Sequence, residues 1–378
     1  MNIYFLEAYD TGSHRYFHQK LEEQLKFLKK DLKFHVISLK GRHWRWRLQG
    51  SHFQLANDLN SLFKNNNNEK PDLIITTSLT DSAALRGLLS AKLRSVPLIQ
   101  YMHENQMSYP LAPNEHVYQR DHLIREHIIP AFHLNQILAA DYTIFNSSFH
   151  QRVFFEGLEK FCLSRPDYSP LSLIKDLKEK IHVIPIPIEF PNSPLPTFSE
   201  RKNCVLWNHR WEYDKNPHGF FQFARSLLAI KSDVNFCLLG ENNHSPPPEF
   251  TKFKNDYPQN ITAYGYLESR QAYLKQLSQN RLLPVTSYHD FLGLSVLEAM
   301  AFGVIPLLPN RLVYPELIPS ELHSELLYDS EAQLLERSLI LLKDGLQPSK
   351  TKLIEDHLQQ YHQTQTATAW AKLFRLLE

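Results

Sequence analysis

The chain has 378 residues, with 41 lysines and arginines against 40 aspartates and glutamates. That length suits two domains of ordinary size, each with its own core, and the near-zero net charge excludes polyanion binding by bulk charge, so any such partner must meet a local basic patch. Cys162, Cys204 and Cys237 are far apart and form no CxxC pair, and no cleavable leader or run of about 20 apolar residues is visible, so an unprocessed, non-membrane, cytoplasmic protein is expected.

In chain order, apolar β-branched runs alternate with segments of helical period. "NIYFLEAY" (2–9) precedes a helix over 14–30, then "FHVISL" (34–39), a helix near 51–65 and "DLIITTS" (72–78). A helix over 81–94, "PLIQYMHE" (97–104), an irregular insert at 105–125, a helix over 126–140, "YTIFNS" (142–147) and a helix over 148–163 follow. The asparagine run 65–68 reads as a loop, and the Pro-rich stretch 184–202 as a linker. A second series holds "NCVLWNHR" (203–210), a helix over 217–231, "NFCLLGE" (235–241), "ITAYGYL" (261–267) and a helix over 269–280. It ends with "RLLPVTSY" (281–288), a helix over 293–302, "VIPLLP" (304–309), "ELLYD" (325–329) and a helix over 330–344. This pattern predicts the α/β class: two Rossmann-like doubly wound domains, 1–190 and 203–360, facing a central cleft, with the last helix, 361–378, crossing back to the first.

Several chemistries drop out. No two of the eleven glycines are two apart, so GxGxxG is absent, and there is no GxxxxGK[ST], DxD or HExxH, while the nineteen histidines look scattered. No metal and no bound cofactor is expected. In open α/β sheets ligands bind beyond the carboxyl ends of strands. The polar residues there are Gly12, Ser13, His14, His103, Glu104, Asn105, Gln106, Asn146, Arg210, Lys215, Gly240, Glu241, Asp290 and Glu298.

"HRWEYDKNP" (209–217), "LLGE", "YGYL" and "HDFLGLSVLEAMAFGVIPL" together resemble the C-terminal domain of GT-B glycosyltransferases of family four, whose Glu-x7-Glu motif falls on Asp290 and Glu298. "EAYDTGSHR", "KGRHWRWR", "YMHENQMSYP" and "IFNSSFHQ" are similar to the tRNA-queuosine mannosyltransferase family, and the resemblance spans nearly the whole chain. It implies a retaining transfer of mannose from GDP-mannose to the cyclopentene hydroxyl of queuosine at a tRNA wobble position, the aspartate tRNA being the expected carrier. It also implies that Glu298 meets the ribose hydroxyls of the donor and Asp290 the hydroxyls of the transferred sugar. Asp290 is one methylene shorter than the family's usual glutamate.

Within that frame Arg210 and Lys215 are candidates to hold the leaving diphosphate without a metal, the alternative being loop salt bridges with Glu212 and Asp214. The amides near Leu292 and Gly293 open a helix and suit oxygen-rich ligands. Gly12, with Ser13 and His14, is a candidate for backbone approach to the diphosphate. His103 and Glu104 are candidates to bind sugar or diphosphate or to orient the acceptor, with a structural histidine the alternative. Asn105 and Gln106 are assigned to acceptor hydroxyls, and Tyr264 to the base or to an aromatic pair with Tyr266. Arg42, Trp44, Arg45, Trp46 and Arg47 interleave cations with aromatics, as single-stranded RNA contacts do. An edge loop with anchoring tryptophans or a membrane contact are the alternatives there. For the whole protein, the rival readings are a transferase with a lipid or polysaccharide acceptor, and a non-catalytic tRNA-binding protein. No protein partner is implied.

Overall fold

The computed structural model describes residues 1–65, 70–109, 124–241 and 247–375. The asparagine run beyond residue 65 and most of the 105–125 insert lie outside the described residues. Two units are present: Met1–Pro187 with Gln363–Glu378, and Ile188–His362.

In the first unit, strands β1 (Asn2–Asp10), β2 (Lys33–Lys40), β3 (Leu73–Thr77), β4 (Leu98–Met102), β5 (Tyr142–Phe145) and β6 (Ile181–Val183) pair in parallel in the order β2-β1-β3-β4-β5-β6. β3 and β4 are buried at every position. Their largely apolar runs, broken only by Thr76, Thr77 and Gln100, follow from helices covering both faces of a parallel sheet. The second unit repeats the plan with β7 (Cys204–Trp207), β8 (Asn235–Leu239), β9 (Ile261–Gly265), β10 (Leu282–Pro284), β11 (Ile305–Pro309) and β12 (Leu327–Tyr328), in the order β12-β11-β10-β7-β8-β9. Its core is strongly aromatic: buried Trp207 meets Phe220 and Phe250 edge-on at 4.9 and 5.4 Å. Such pairs add about 0.5–1.5 kcal/mol each beyond area burial.

Three sequence expectations change. The helix near 51–65 starts earlier, at Trp44, and runs Trp44–Asn65. The helix over 81–94 breaks into Ser82–Leu88 and Ala91–Arg94, because Leu89 turns extended and Ser90 starts a new turn. Within the stretch read as a linker, Ile184, Ile186 and Ile188 are buried, and the Ile184 N–H donates to the Phe145 carbonyl, prolonging the pattern begun by β6. β6 itself and the helix Pro248–Asp256 were not anticipated.

The helix Gln363–Arg375 packs within the first unit. Fully buried Trp370 lies against Phe17 and Tyr101, at 6.4 and 6.2 Å between ring centres, and Gln24 donates to the Gln363 carbonyl and to Thr366. Among the described residues no helix is long and apolar enough to cross a membrane. Trp370→Ala is expected to cost the first unit about 3–5 kcal/mol. Urea unfolding should show its transition moved to lower denaturant while that of Ile188–His362 stays in place.

Candidate active site

In the second unit the loop after β7 meets the loop after β10 through one ammonium group. Lys215 Nζ donates to the His289 carbonyl (3.0 Å) and to Asp290 Oδ1 (2.8 Å), and lies 3.1 Å from Asp214 Oδ2. The turn that aims Lys215 inward is fixed by Asn216, which adopts φ 52° and caps the helix Pro217–Ile230 by accepting the Gly219 N–H. Proline at the first helical position has no N–H to leave unmet, so this Asn-Pro pair is a strong local start signal. Asp290 Oδ2 accepts from the Tyr314 hydroxyl at 2.6 Å. Burial pushes the Asp290 carboxyl up, but Lys215, His209 and the Tyr314 bond together hold it below its ordinary value. For Lys215, burial pulls down and the Asp290 and Asp214 charges outweigh it, leaving the ammonium raised. His209 bonds Ser295 Oγ through Nδ1 (2.8 Å), and burial lowers it to about 4.

Glu298, on the helix Leu294–Ala301, is buried and already paired: Arg270 meets Oε1, and the Tyr273 hydroxyl donates to Oε2 at 3.1 Å. Asn208 in turn donates to Tyr273 and to the Ser295 carbonyl. Gly293, at φ 71°, opens that helix, and Leu292 beside it is buried. Arg210 is about half exposed and pairs with Glu212 at 3.2 Å. Gly240 cannot be replaced cheaply: at φ 150°, a Cβ would stand 2.0 Å from the His209 carbonyl oxygen. Next to it the Glu241 carbonyl accepts the Trp211 N–H. Tyr264 packs edge-on to Trp211 at 4.9 Å, under Lys254 at 4.3 Å, whereas Tyr266 is exposed.

In the first unit Gly12 takes φ 49° at the start of the helix Gly12–Leu28, with open space where a Cβ would be, and Ser13 is exposed. His14 turns inward. Its Nδ1 lies 3.1 Å from Oε1 of Glu7, which also accepts from the Tyr9 N–H (2.8 Å) and the Thr77 hydroxyl (2.9 Å). The His14 ring stacks on His103 at 4.1 Å and 31°. Donor atoms of Glu7, His14 and His103 all fall within 4.8 Å of one another. The fold therefore gathers histidines that look scattered in sequence. Three buried donors this close could gather around one small polar group or ion. Burial, followed by the neighbouring His14, His150 and His18, pushes His103 well below its ordinary value, so it is neutral.

Other expected contacts are turned to internal use. Asn105 is fully buried and accepts from the Ser108 N–H and hydroxyl, and Gln106 is buried with its backbone N–H on His133 and its side chain on half-buried Glu104. Both brace the loop after β4, and Asn105 Nδ2 is buried with no partner among the described residues. Asn146 likewise spends its amide on the His103 carbonyl (2.9 Å) and on His150 Nδ1 (2.8 Å). The segment read as RNA contacts, with an edge loop as the alternative, runs into a helix that begins at Trp44: Arg42, Trp44, Arg45 and Trp46 are exposed and Arg47 is half-buried, reaching the Lys40 carbonyl.

Comparison with known proteins fits this arrangement. Residues 2–188 match the model of the tRNA-queuosine alpha-mannosyltransferase N-terminal family, and 193–357 that of glycosyl transferases group 1. A tRNA-queuosine alpha-mannosyltransferase from Drosophila melanogaster is 30% identical over 340 residues, 85% of this chain and 82% of that protein. The chain belongs to the tRNA-queuosine alpha-mannosyltransferase family. It is a glycosyltransferase of the GT-B fold class. Sucrose-phosphate synthase from Thermosynechococcus elongatus aligns with TM-score 0.68 at 16% identity, covering 100% of this chain and 99% of that one. A UDP-forming trehalose-phosphate synthase from Burkholderia xenovorans gives 0.68 at 13%, with 99% and 98% covered. These two speak to fold alone.

Sequence reasoning about this mannosyltransferase-family chain missed Tyr314, Tyr273, Arg270 and Glu7. Glu7 had a signal: a lone carboxylate inside an apolar strand raises the same question as Glu298 inside an apolar helix. Asp290→Asn is expected to destabilise the second unit by about 3–5 kcal/mol, since Lys215 loses a buried partner. Because Asp290 titrates below its unfolded value, its stabilisation holds above pH about 4 and is lost as pH falls further. The variant should therefore show a shallower acid limb in Tm against pH.

Proposed function

We propose that the chain transfers mannose from GDP-mannose to queuosine in a cytoplasmic tRNA, with retention at the anomeric carbon. The match of residues 2–188 to the N-terminal family model carries this reading, and the exposed start of the helix Trp44–Asn65 supports it. There the Arg45 guanidinium stands 5.4 Å over the Trp44 ring. The Trp46 indole lies along the helix at Gly50, where a Cβ would come within 2.8 Å of the ring. One face of Trp46 is thus packed on backbone and the side chain stays 57% exposed, a platform on which an unpaired base can stack.

On the donor side, Glu298 receives the ribose hydroxyls, Asp290 those of the sugar, and Arg210, with the start of the helix Leu294–Ala301, the diphosphate. As the bond from sugar to diphosphate breaks, the incoming hydroxyl arrives on the same face, so no enzyme nucleophile is required. Lys215 acts by holding Asp290 charged. Incubating the protein with queuosine-containing tRNA and a panel of sugar nucleotides, then weighing the digested nucleosides, tests the assignment. A hexose added only from GDP-mannose is the expected result, and sugar on unmodified guanosine tRNA or on a lipid instead would refute it.

Trp44→Ala and Arg45→Ala are expected to raise the KM for tRNA, at about 1–3 kcal/mol for a lost stack, and to leave the KM for GDP-mannose unchanged. Gly50→Ala should act in the same direction by lifting Trp46. Tight chelation should leave the rate of transfer intact once tRNA folding is controlled for.

A further inference from the structure

The helix Trp44–Asn65 buries one stripe and turns the opposite one outward. Leu48, His52, Leu55 and Leu59 lie on the covered side, while Trp46, Gln49, Phe53 and Asn57 lie on the exposed side, since residues three, four and seven apart share a face. The outward stripe carries two large rings, Trp46 at 57% and Phe53 at 58% exposure. Seven residues separate them, nearly two turns, or about 10 Å along the axis. Each ring is braced from within the helix. Trp46 lies over Gly50, and a glycine inside a helix costs about 0.5–1 kcal/mol against alanine. That cost accompanies the flat indole, because a Cβ at position 50 would come within 2.8 Å of it. Phe53 leans on buried His52, with ring centres 4.3 Å apart and planes at 48°. A single exposed ring needs no explanation, but two on one stripe, with the residue between them trimmed to glycine, make a surface. The segment that carries them is charged with one sign: it holds Lys40, Arg42, Arg45 and Arg47, and no aspartate or glutamate from residue 40 to residue 57.

We propose that Phe53 is a second base-stacking position: the outward stripe of this helix takes two unpaired bases of one RNA loop, one on Trp46 and one on Phe53. The proposal rests on the tRNA reading above for the identity of that loop. Rings beside guanidinium groups fit a polyanion that offers π-faces, which is single-stranded nucleic acid. A duplex offers the phosphates but keeps its base faces covered by one another. The spacing also sets the kind of strand. Bases stacked in a helix follow one another at about 3.4 Å, so two bases held by residues nearly two helical turns apart belong to a splayed loop and not to a continuous stack. Stacking on a ring asks only for a π-face, so these two positions tolerate any base.

Fluorescence anisotropy of the full chain with two labelled RNAs, a hairpin with an unpaired loop and a blunt duplex made from its stem, tests this. Phe53→Ala should weaken hairpin binding about tenfold, the effect of one lost stack, and leave duplex binding and Tm unchanged, because the ring is exposed. Phe53→Tyr should keep the wild-type affinity, whereas Phe53→Leu, apolar without a π-face, should match the alanine variant. The slope of log K against log salt should stay the same in Phe53→Ala and become shallower by about one in Arg42→Gln. Combined with Trp46→Ala the two losses should multiply, since each ring holds its own base. Hairpin binding unaltered in Phe53→Ala, equal weakening on hairpin and duplex, or full affinity in Phe53→Leu overturns the proposal. So does flotation with anionic vesicles that Phe53→Ala abolishes, which would make the patch a lipid contact. A chain with the Phe53 dependence that transfers no sugar to tRNA would overturn the transferase reading and leave the stacking position standing. Sugar transfer with hairpin binding indifferent to Phe53 would do the reverse, and a wild-type chain that binds no hairpin would overturn both.

Discussion

The Lys215 ammonium is the point around which the polar loops of the second unit are arranged. A buried charge is tolerated only when oxygens converge on it, and here they come from segments leaving two different strands, Asp214 after β7 and His289 with Asp290 after β10. The contact therefore sets the spacing of the two loops. Other bonds follow it: the Tyr288 N–H to the Asp214 carbonyl, the Thr286 hydroxyl to the Asn216 carbonyl, and Arg311 to the Ser287 carbonyl. Remove the ammonium and two carboxylates are left facing each other across a gap that these neutral bonds alone must hold.

The same rule applies elsewhere in the molecule. Each buried carboxylate that sequence or structure brings forward has donors supplied by its own unit: Tyr314 and Lys215 for Asp290, Arg270 and Tyr273 for Glu298, and Tyr9, Thr77 and His14 for Glu7. Such pairs are a weak source of stability, since apolar side chains of similar volume often do as well or better. What they supply is a preorganised charge, an oriented and desolvated group with no water shell to rearrange.

The alternation of strands and helices was legible because parallel strands buried on both faces leave mostly apolar runs, as in β3 and β4, and because Asn216-Pro217 and Ser147 mark helix starts through local hydrogen bonds. β6 was not legible: three half-buried residues at a sheet edge carry too little apolar pattern. Nor was the start of the helix at Trp44, since tryptophan and arginine in a first turn read equally well as loop. At the site, the pairing of Lys215 with Asp290 and of Arg270 with Glu298 joins residues 75 and 28 positions apart, which no spacing rule reaches. Asn105, Gln106 and Asn146 show a second use for such residues. Polar residues after strands are read as ligand contacts, yet a loop leaving a sheet has backbone groups of its own to satisfy; Asn105 and Asn146 each meet one, while the Gln106 amide bonds Glu104.

Internal pairing does not withdraw Asp290 and Glu298 from recognition. A carboxylate accepts at about four lone-pair positions, and the bonds described use one donor per oxygen in each case. What the pairing does is choose the directions that remain. It also accounts for the shorter acid at position 290. A glutamate there would carry its oxygens about 1.5 Å further from the backbone, roughly one carbon–carbon bond. The 2.8 Å contact with Lys215 then forces the side chain to fold back or the ammonium to retreat from Asp214 and the His289 carbonyl. Aspartate thus matches a lysine buried at this depth, with its oxygens held nearer to the β10 loop than those of the longer acid would be.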